Sequence, residues 1–289
     1  MALSAKYELR LETRSLTRRM GEMQAAEGFR NVEARGDAQR HFYDEECDPE
    51  FEIVRPHSCG RLYGYLIEHK FHTGLRVLGT EIFRRSVLEI CCGSGMMSEK
   101  FARHGARVTG LDFSGSAIAR ARERARRFGF DARFLIGDAE NLAFQDGSFD
   151  IVAVHDGLHH LNDPFRAIGE MARVARHAVL VMDPARAALT RLAVSLGIAV
   201  DFEDAGNEVK RLVPSEVASY LRDLGFERVR WRRTLMYYPH TPNGLFKVLS
   251  SPWVFWAAQS AFHGANIIAG RWGNKLALGA IRSEVREIA

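Results

Sequence analysis

Val87-Leu88-Glu89-Ile90-Cys91-Cys92-Gly93-Ser94-Gly95 is an apolar run that breaks into a glycine-bearing turn, and the residues from Met96 to His104 beyond it have helical spacing. Strand, turn and helix in that order set backbone N–H groups and a helix N-terminus against a ligand, and the glycines remove Cβ atoms where the ligand meets the chain. Asp112 follows seventeen positions after Gly95, at the end of the next apolar run, where a carboxylate accepts hydrogen bonds from ribose hydroxyls. Ser98 stands where G-x-G-x-x-G has its third glycine, which argues for a nucleoside rather than a dinucleotide pyrophosphate.

Outward from this turn the pattern alternates. Strands are expected over 86–91, 106–112, 132–136, 149–155 and 178–183, with helices over 96–104, 116–128 and 164–174 between them. Such alternation predicts an α/β fold. A helix from Pro214 and strands at 226–232 and 275–282 complete a Rossmann-like, mostly parallel seven-stranded sheet with helices on both faces. Upstream, Leu62, Leu66, Phe71, Leu75 and Leu78 predict a helix leading into the sheet, and Gly79 stops it. No repeat of fixed period is present, which excludes solenoids and propellers.

The composition, 46% hydrophobic and 26% charged over 289 residues, excludes collagen-like and wholly disordered chains. The four cysteines, Cys47, Cys59, Cys91 and Cys92, have neither a disulfide framework nor a zinc-ligand spacing. No metal is expected. Charges interrupt the first ten residues before any signal-peptide run develops, so a reducing, cytoplasmic setting is expected. A net charge of +4 is too mild to argue for nucleic acid, and the basic run from Arg228 to Arg233 alternates like a solvated strand face.

Two segments flank the core. Residues 1–58 read as an N-terminal helical and lid segment, with helices in 6–40 and an irregular lid over 41–57; residues 59–289 form the main domain, its ligand-binding core at 84–183. Between the last two strands, residues 237–273 crowd aromatic and aliphatic side chains around Trp253 and Trp256. Polar residues interrupt this stretch before it reaches the roughly 20 apolar residues of a membrane span. A buried or site-lining helix is the preferred reading, with peripheral membrane contact as the alternative.

At this point the chain resembles the class I S-adenosylmethionine-dependent methyltransferases, in particular the quinone-biosynthesis and small-molecule branch. The matching motifs are Leu88 to Gly95, Val108 to Ser114, Gly137 to Phe144, Ser148 to Val152 and Leu158 to Pro164, in one register over about 60–183. The resemblance implies S-adenosylmethionine as cofactor. It implies that Glu89, Gly93 and Gly95 surround the methionine part, Asp112 holds the ribose and Phe113 flanks the adenine. By the same resemblance Asp138 and the Ala139 N–H read the adenine edge, and His155 faces the cofactor through its carbonyl. Cys91 replaces the family's usual glycine and reads as tolerated packing at the cofactor site rather than as a nucleophile.

Methyl transfer from a sulfonium is an in-line displacement, so positioning and water exclusion do most of the work. For a hydroxyl acceptor, His159 or His160 is expected to take the proton, with Asp183 orienting the imidazole; helix capping by the pair is the other reading. Aromatic residues in 41–65 and 237–272 suit a small, largely apolar or aromatic acceptor. The expected activity is O-methylation in secondary metabolism. Alternatives are C-methylation of a quinone-like ring and a non-methylating protein on the same fold.

Overall fold

The computed structural model describes residues 47–187 and 210–282, so the helices expected in 6–40 and the first part of the lid lie outside the described residues. The alternating runs become strands β1 (Ser86–Ile90), β2 (Arg107–Asp112), β3 (Ala132–Ile136), β4 (Phe149–His155), β5 (Ala175–Pro184), β6 (Phe226–Thr234) and β7 (Lys275–Arg282). They lie in one sheet in the order β3-β2-β1-β4-β5-β7-β6. β1 to β5 pair in parallel, and β7 runs antiparallel to both β5 and β6. β5 starts three residues before the expected 178, because Ala175 already pairs with Phe149 across an irregularity in the ladder.

Eight α-helices among the described residues cover this sheet and its edge: α1 (Pro49–Val54), α2 (Arg61–Leu78), α3 (Met96–Arg103), α4 (Gly115–Phe128), α5 (Pro164–Val174), α6 (Pro214–Asp223), α7 (Gly244–Leu249) and α8 (Pro252–Ala269). The central strands β1, β2, β4 and β5 are buried on both faces, which is why they read as continuous apolar runs, whereas the edge strand β6 leaves most of its side chains exposed. Leu88, Val152, Val154 and Val181 pack with Ile168 and Met171 of α5 and Leu221 of α6. Their neighbours Val87, Ile151, Ala153 and Met182 point the other way, onto Leu66 and Phe71 of α2 and Phe101 of α3. Each fully buried side chain of this size stabilises the fold by roughly 1.5–3 kcal/mol.

Local signals fix the helix ends. Gly79 caps α2 through its N–H to the Leu75 carbonyl, as expected, and Asp163 caps α5 by accepting from the Phe165 and Arg166 N–H groups. Ser86 and Asp150 lock the starts of β1 and β4 together, the Ser86 N–H and hydroxyl both donating to Asp150 Oδ2 at 2.8 Å.

The insertion between β6 and β7 corrects the sequence reading. It is helical, but α8 has no buried residue. Its inner side, Phe255, Ala258 and Phe262, rests partly covered on α2, while the opposite side faces outward. An apolar helical stripe reads as buried in sequence whatever covers it, and here the domain core covers only one side.

Candidate functional site

The order β3-β2-β1-β4 reverses the direction of winding between β1 and β4, and at such a point the carboxyl ends of the strands open a crevice for a ligand. The loop Cys91 to Gly95 leaves β1 there with Cys91, Gly93 and Gly95 all at positive φ (52°, 52° and 77°). The two glycines differ in role. A Cβ on Gly95 would press on Ala121 and Phe134 at 3.2–3.3 Å, whereas a Cβ on Gly93 would meet nothing within 4 Å. Gly95 is needed for packing, and Gly93 faces the open space a ligand would occupy.

Asp112, at the end of β2, accepts from the Gly93 N–H at 2.8 Å through Oδ2 and from the Ser114 N–H at 3.0 Å through Oδ1. Burial raises its carboxyl above the usual range, against the pull of those N–H groups. Each oxygen keeps a second lone pair for a hydroxyl. Glu89 is buried beneath the loop, receives the Ser98 hydroxyl, and is pushed by burial up to about 8. A cationic ligand group beside it would restore its ionised form. Phe113 follows Asp112, half-buried, and exposed Asp138 turns one oxygen back onto the Glu140 N–H at 2.8 Å, leaving the other for a donor. Ala139 is buried next to it. Together these residues offer a nucleoside site with a carboxyl at its far end.

Cys91 fits without strain on its neighbour because residue 157 is glycine: a Cβ there would lie 2.4 Å from Cys91 Cβ. Burial pushes the Cys91 thiol well above its ordinary range, so it stays protonated and unreactive.

α1 lies over the glycine loop and is held by a residue the sequence reading passed over. Arg124 of α4 is fully buried; its guanidinium donates to the Ser94 carbonyl at 2.9 Å, the Glu52 carbonyl at 2.9 Å, the Arg55 carbonyl and Glu99 Oε2 at 3.0 Å. Burial raises the Glu52 carboxyl, but Arg55 and His240 outweigh it and hold it down at about 2.

Two polar clusters stand at the end of β4, on opposite faces of the sheet. On the α5 face, fully buried Asp183 accepts from the Gly157, Leu158 and His159 N–H groups at 2.9–3.2 Å, and its Oδ1 lies 2.9 Å from His159 Nδ1. The expected Asp183–His159 contact is present. His160 stacks on His159 with ring centroids 4.1 Å apart. On the α2 face, Asp156 receives the Tyr238 hydroxyl at 2.5 Å and lies 2.6 Å from Lys70 Nζ and 3.3 Å from Lys275 Nζ. Burial raises the Asp156 carboxyl, and the two lysines overcome it and hold it well below its usual range. Burial brings Lys70 down to about 8 despite Asp156. His155 sits beside this cluster with a buried Nε2 that has no hydrogen-bond partner, 3.6 Å from Asp156 Oδ2; burial, then Lys70, keeps its ring neutral.

Sequence reasoning missed the second cluster. Its one signal was Lys70 itself, which falls on the apolar stripe of α2 four residues after Leu66 and eight after Leu62. A lysine on that stripe needs a buried partner.

A family profile described as "Methyltransferase domain" matches residues 88–182. Over 90 residues, 31% of this chain and 36% of the relative, the sequence is 39% identical to a demethylmenaquinone methyltransferase of Renibacterium salmoninarum. Over 150 residues, 50% of this chain and 64% of the relative, it is 33% identical to a ubiquinone biosynthesis O-methyltransferase of Aromatoleum aromaticum. The chain thus spans less than two thirds of the length of these relatives. Among solved structures, the magnesium protoporphyrin IX methyltransferase of Synechocystis PCC 6803, solved with bound SAH, superposes with a TM-score of 0.55 at 20% identity, covering 84% of this chain and 97% of that one. The [4+2]-cyclase SpnF superposes with a TM-score of 0.54 at 18% identity, covering 76% and 83%. These likenesses establish a shared fold.

Proposed function

We propose that the protein transfers the methyl group of S-adenosylmethionine to a small, largely apolar or aromatic acceptor, most simply at oxygen, a reading supported by the match of residues 88–182 to a methyltransferase-domain profile. The observation that carries the reading is the open space over Gly93 with Asp112 at its rim. Glu89 takes the amino-acid end, Gly93 and Gly95 line the centre, Asp112 accepts from the ribose, and Phe113, Asp138 and the Ala139 N–H receive the adenine, with the His155 carbonyl facing the cofactor. The bound cofactor supplies an electrophilic methyl on a positively charged sulfur.

The chain's own task is then to align the acceptor, shield the methyl donor from bulk water and provide a route for the acceptor's proton. Half-buried Tyr238 and buried Tyr63, 5.6 Å apart edge to face, wall the α2 side of the β4 edge. Two receivers for the proton are at hand. In one, His159 or His160 takes it, with Asp183 Oδ1 against His159 Nδ1 orienting the imidazole. In the other, the Tyr238 hydroxyl and the lysines around Asp156 steady an acceptor that loses its proton to water. A cytoplasmic setting fits the thiols of Cys59, Cys91 and Cys92, which form no disulfide.

Transfer of a labelled methyl group to a panel of phenols and hydroxylated rings tests the activity and separates the receivers. His159→Ala or His160→Ala is expected to lower kcat by about 10²–10⁴ at saturating cofactor if the pair is the base. Full activity in both, with loss in Tyr238→Phe, assigns the role to the Asp156 side. C-methylation, the second reading, is favoured by the demethylmenaquinone methyltransferase relative and shows as a labelled methyl bonded to ring carbon.

A further inference from the structure

Nothing in the methyltransferase reading accounts for the outer surface of α7 and α8. All four tryptophans of the chain, Trp231, Trp253, Trp256 and Trp272, lie in or beside this insertion, and they are 44%, 93%, 68% and 48% exposed. Tryptophan is normally well buried. At 100° per residue, Trp253, Trp256, Ser260, Gly264, Ile267 and Ile268 fall on one side of α8, and Leu245 and Val248 extend the apolar surface along α7, each at least 60% exposed. α8 contains no Asp, Glu, Lys or Arg.

The charge at its end has one sign. From Arg228 to Ser283 the sequence carries eight Lys and Arg and no Asp or Glu. The whole chain has a net charge of +4, so everything outside this segment is net −4. Arg76, Arg230, Arg232, Arg233 and Arg271 line an open groove of about 620 Å³ that ends on Asn266 and Gly270, at the C-terminal end of α8. No carboxylate among the described residues pairs with any of these five arginines.

We propose that this face is a docking surface for an anionic lipid bilayer. The helix lies in the plane of the interface, with Trp253, Trp256, Ile267 and Ile268 in the headgroup and upper acyl region and the arginine groove against lipid phosphates. Crossing is excluded for this helix: none among the described residues is long and apolar enough to span a membrane. A second copy of the chain fits less well, since self-contact through this segment brings no carboxylate to its arginines. A nucleic acid would meet the arginines but leave Leu245, Val248, Ile267 and Ile268 without apolar cover.

Because every tryptophan is in this segment, intrinsic fluorescence reads docking directly. Full-length protein is titrated with vesicles of phosphatidylcholine alone and of equimolar phosphatidylcholine and phosphatidylglycerol, with co-sedimentation in parallel. The expected result is a blue-shifted emission and sedimentation with the anionic vesicles only, screened by salt. Trp253→Ala with Trp256→Ala, and separately Arg232→Gln with Arg233→Gln, each lower the affinity about tenfold or more; these side chains are largely solvent-facing, and circular dichroism checks that the variants are folded. The proposal is overturned by unchanged emission with both vesicle types, by binding indifferent to either substitution pair, by a concentration-dependent dimer that alone shifts the emission, or by binding to single-stranded RNA in place of vesicles.

Discussion

Glu89 shows how a single residue can couple the site to pH. Its carboxyl is buried against Ser98 and pushed up to about 8, so the folded protein holds a proton there that the unfolded chain has released. A raised carboxyl contributes stability that is fully present below the unfolded value near 4.5 and is lost as pH rises through about 8. Glu89 is therefore expected to lower the melting temperature of the unliganded protein between pH 5 and pH 8, read as the difference between the profiles of the protein and of Glu89→Gln. A ligand ammonium at Glu89 would also expel this proton. Calorimetry at pH 7 in buffers of different ionisation enthalpy should then report proton release on cofactor binding, absent in Glu89→Gln. At the same scale Cys91 explains itself only in three dimensions, since Gly157 supplies its room from the end of another strand.

Among the elements, α1 depends most on one distant side chain. Arg124 ties the carbonyls of Glu52 and Arg55 to that of Ser94 in the glycine loop, so Arg124→Met should release α1 and leave Glu99 without its buried partner. Breaking such a pair costs about 3–5 kcal/mol; urea unfolding should show a loss of that order, and an unchanged midpoint would remove Arg124 from the account. The strands were legible in sequence because both faces of a covered parallel sheet are apolar and each turn carries Gly or Asp, as at Gly93 and Asp112. Arg124 was not, because nothing in an arginine-rich helix distinguishes the arginines that turn inward, Arg120 and Arg124, from those that face solvent. Lys70 was legible in principle by its place on the α2 stripe, but its partners Asp156 and Tyr238 come from two other segments. For α8 the helix was right and the burial was wrong, because a crowd of apolar residues does not report what lies against them.

The molecule as a whole is a switch-point sheet whose carboxyl edge carries the proposed nucleoside cradle on β1 and β2 and a polar cluster on each face of β4. That it shares this fold with both a methyltransferase and a cyclase means the fold cannot assign the chemistry, and the cradle must. The direct test is a calorimetric titration of the full-length protein with S-adenosylmethionine, S-adenosylhomocysteine and NADH, repeated with Asp112→Ala. The account predicts micromolar binding of the first two, weakened about tenfold or more in the variant with the loss of charge-assisted hydrogen bonds to the ribose, and no binding of NADH. Binding of NADH alone, or affinity for S-adenosylmethionine that is indifferent to Asp112, would contradict it.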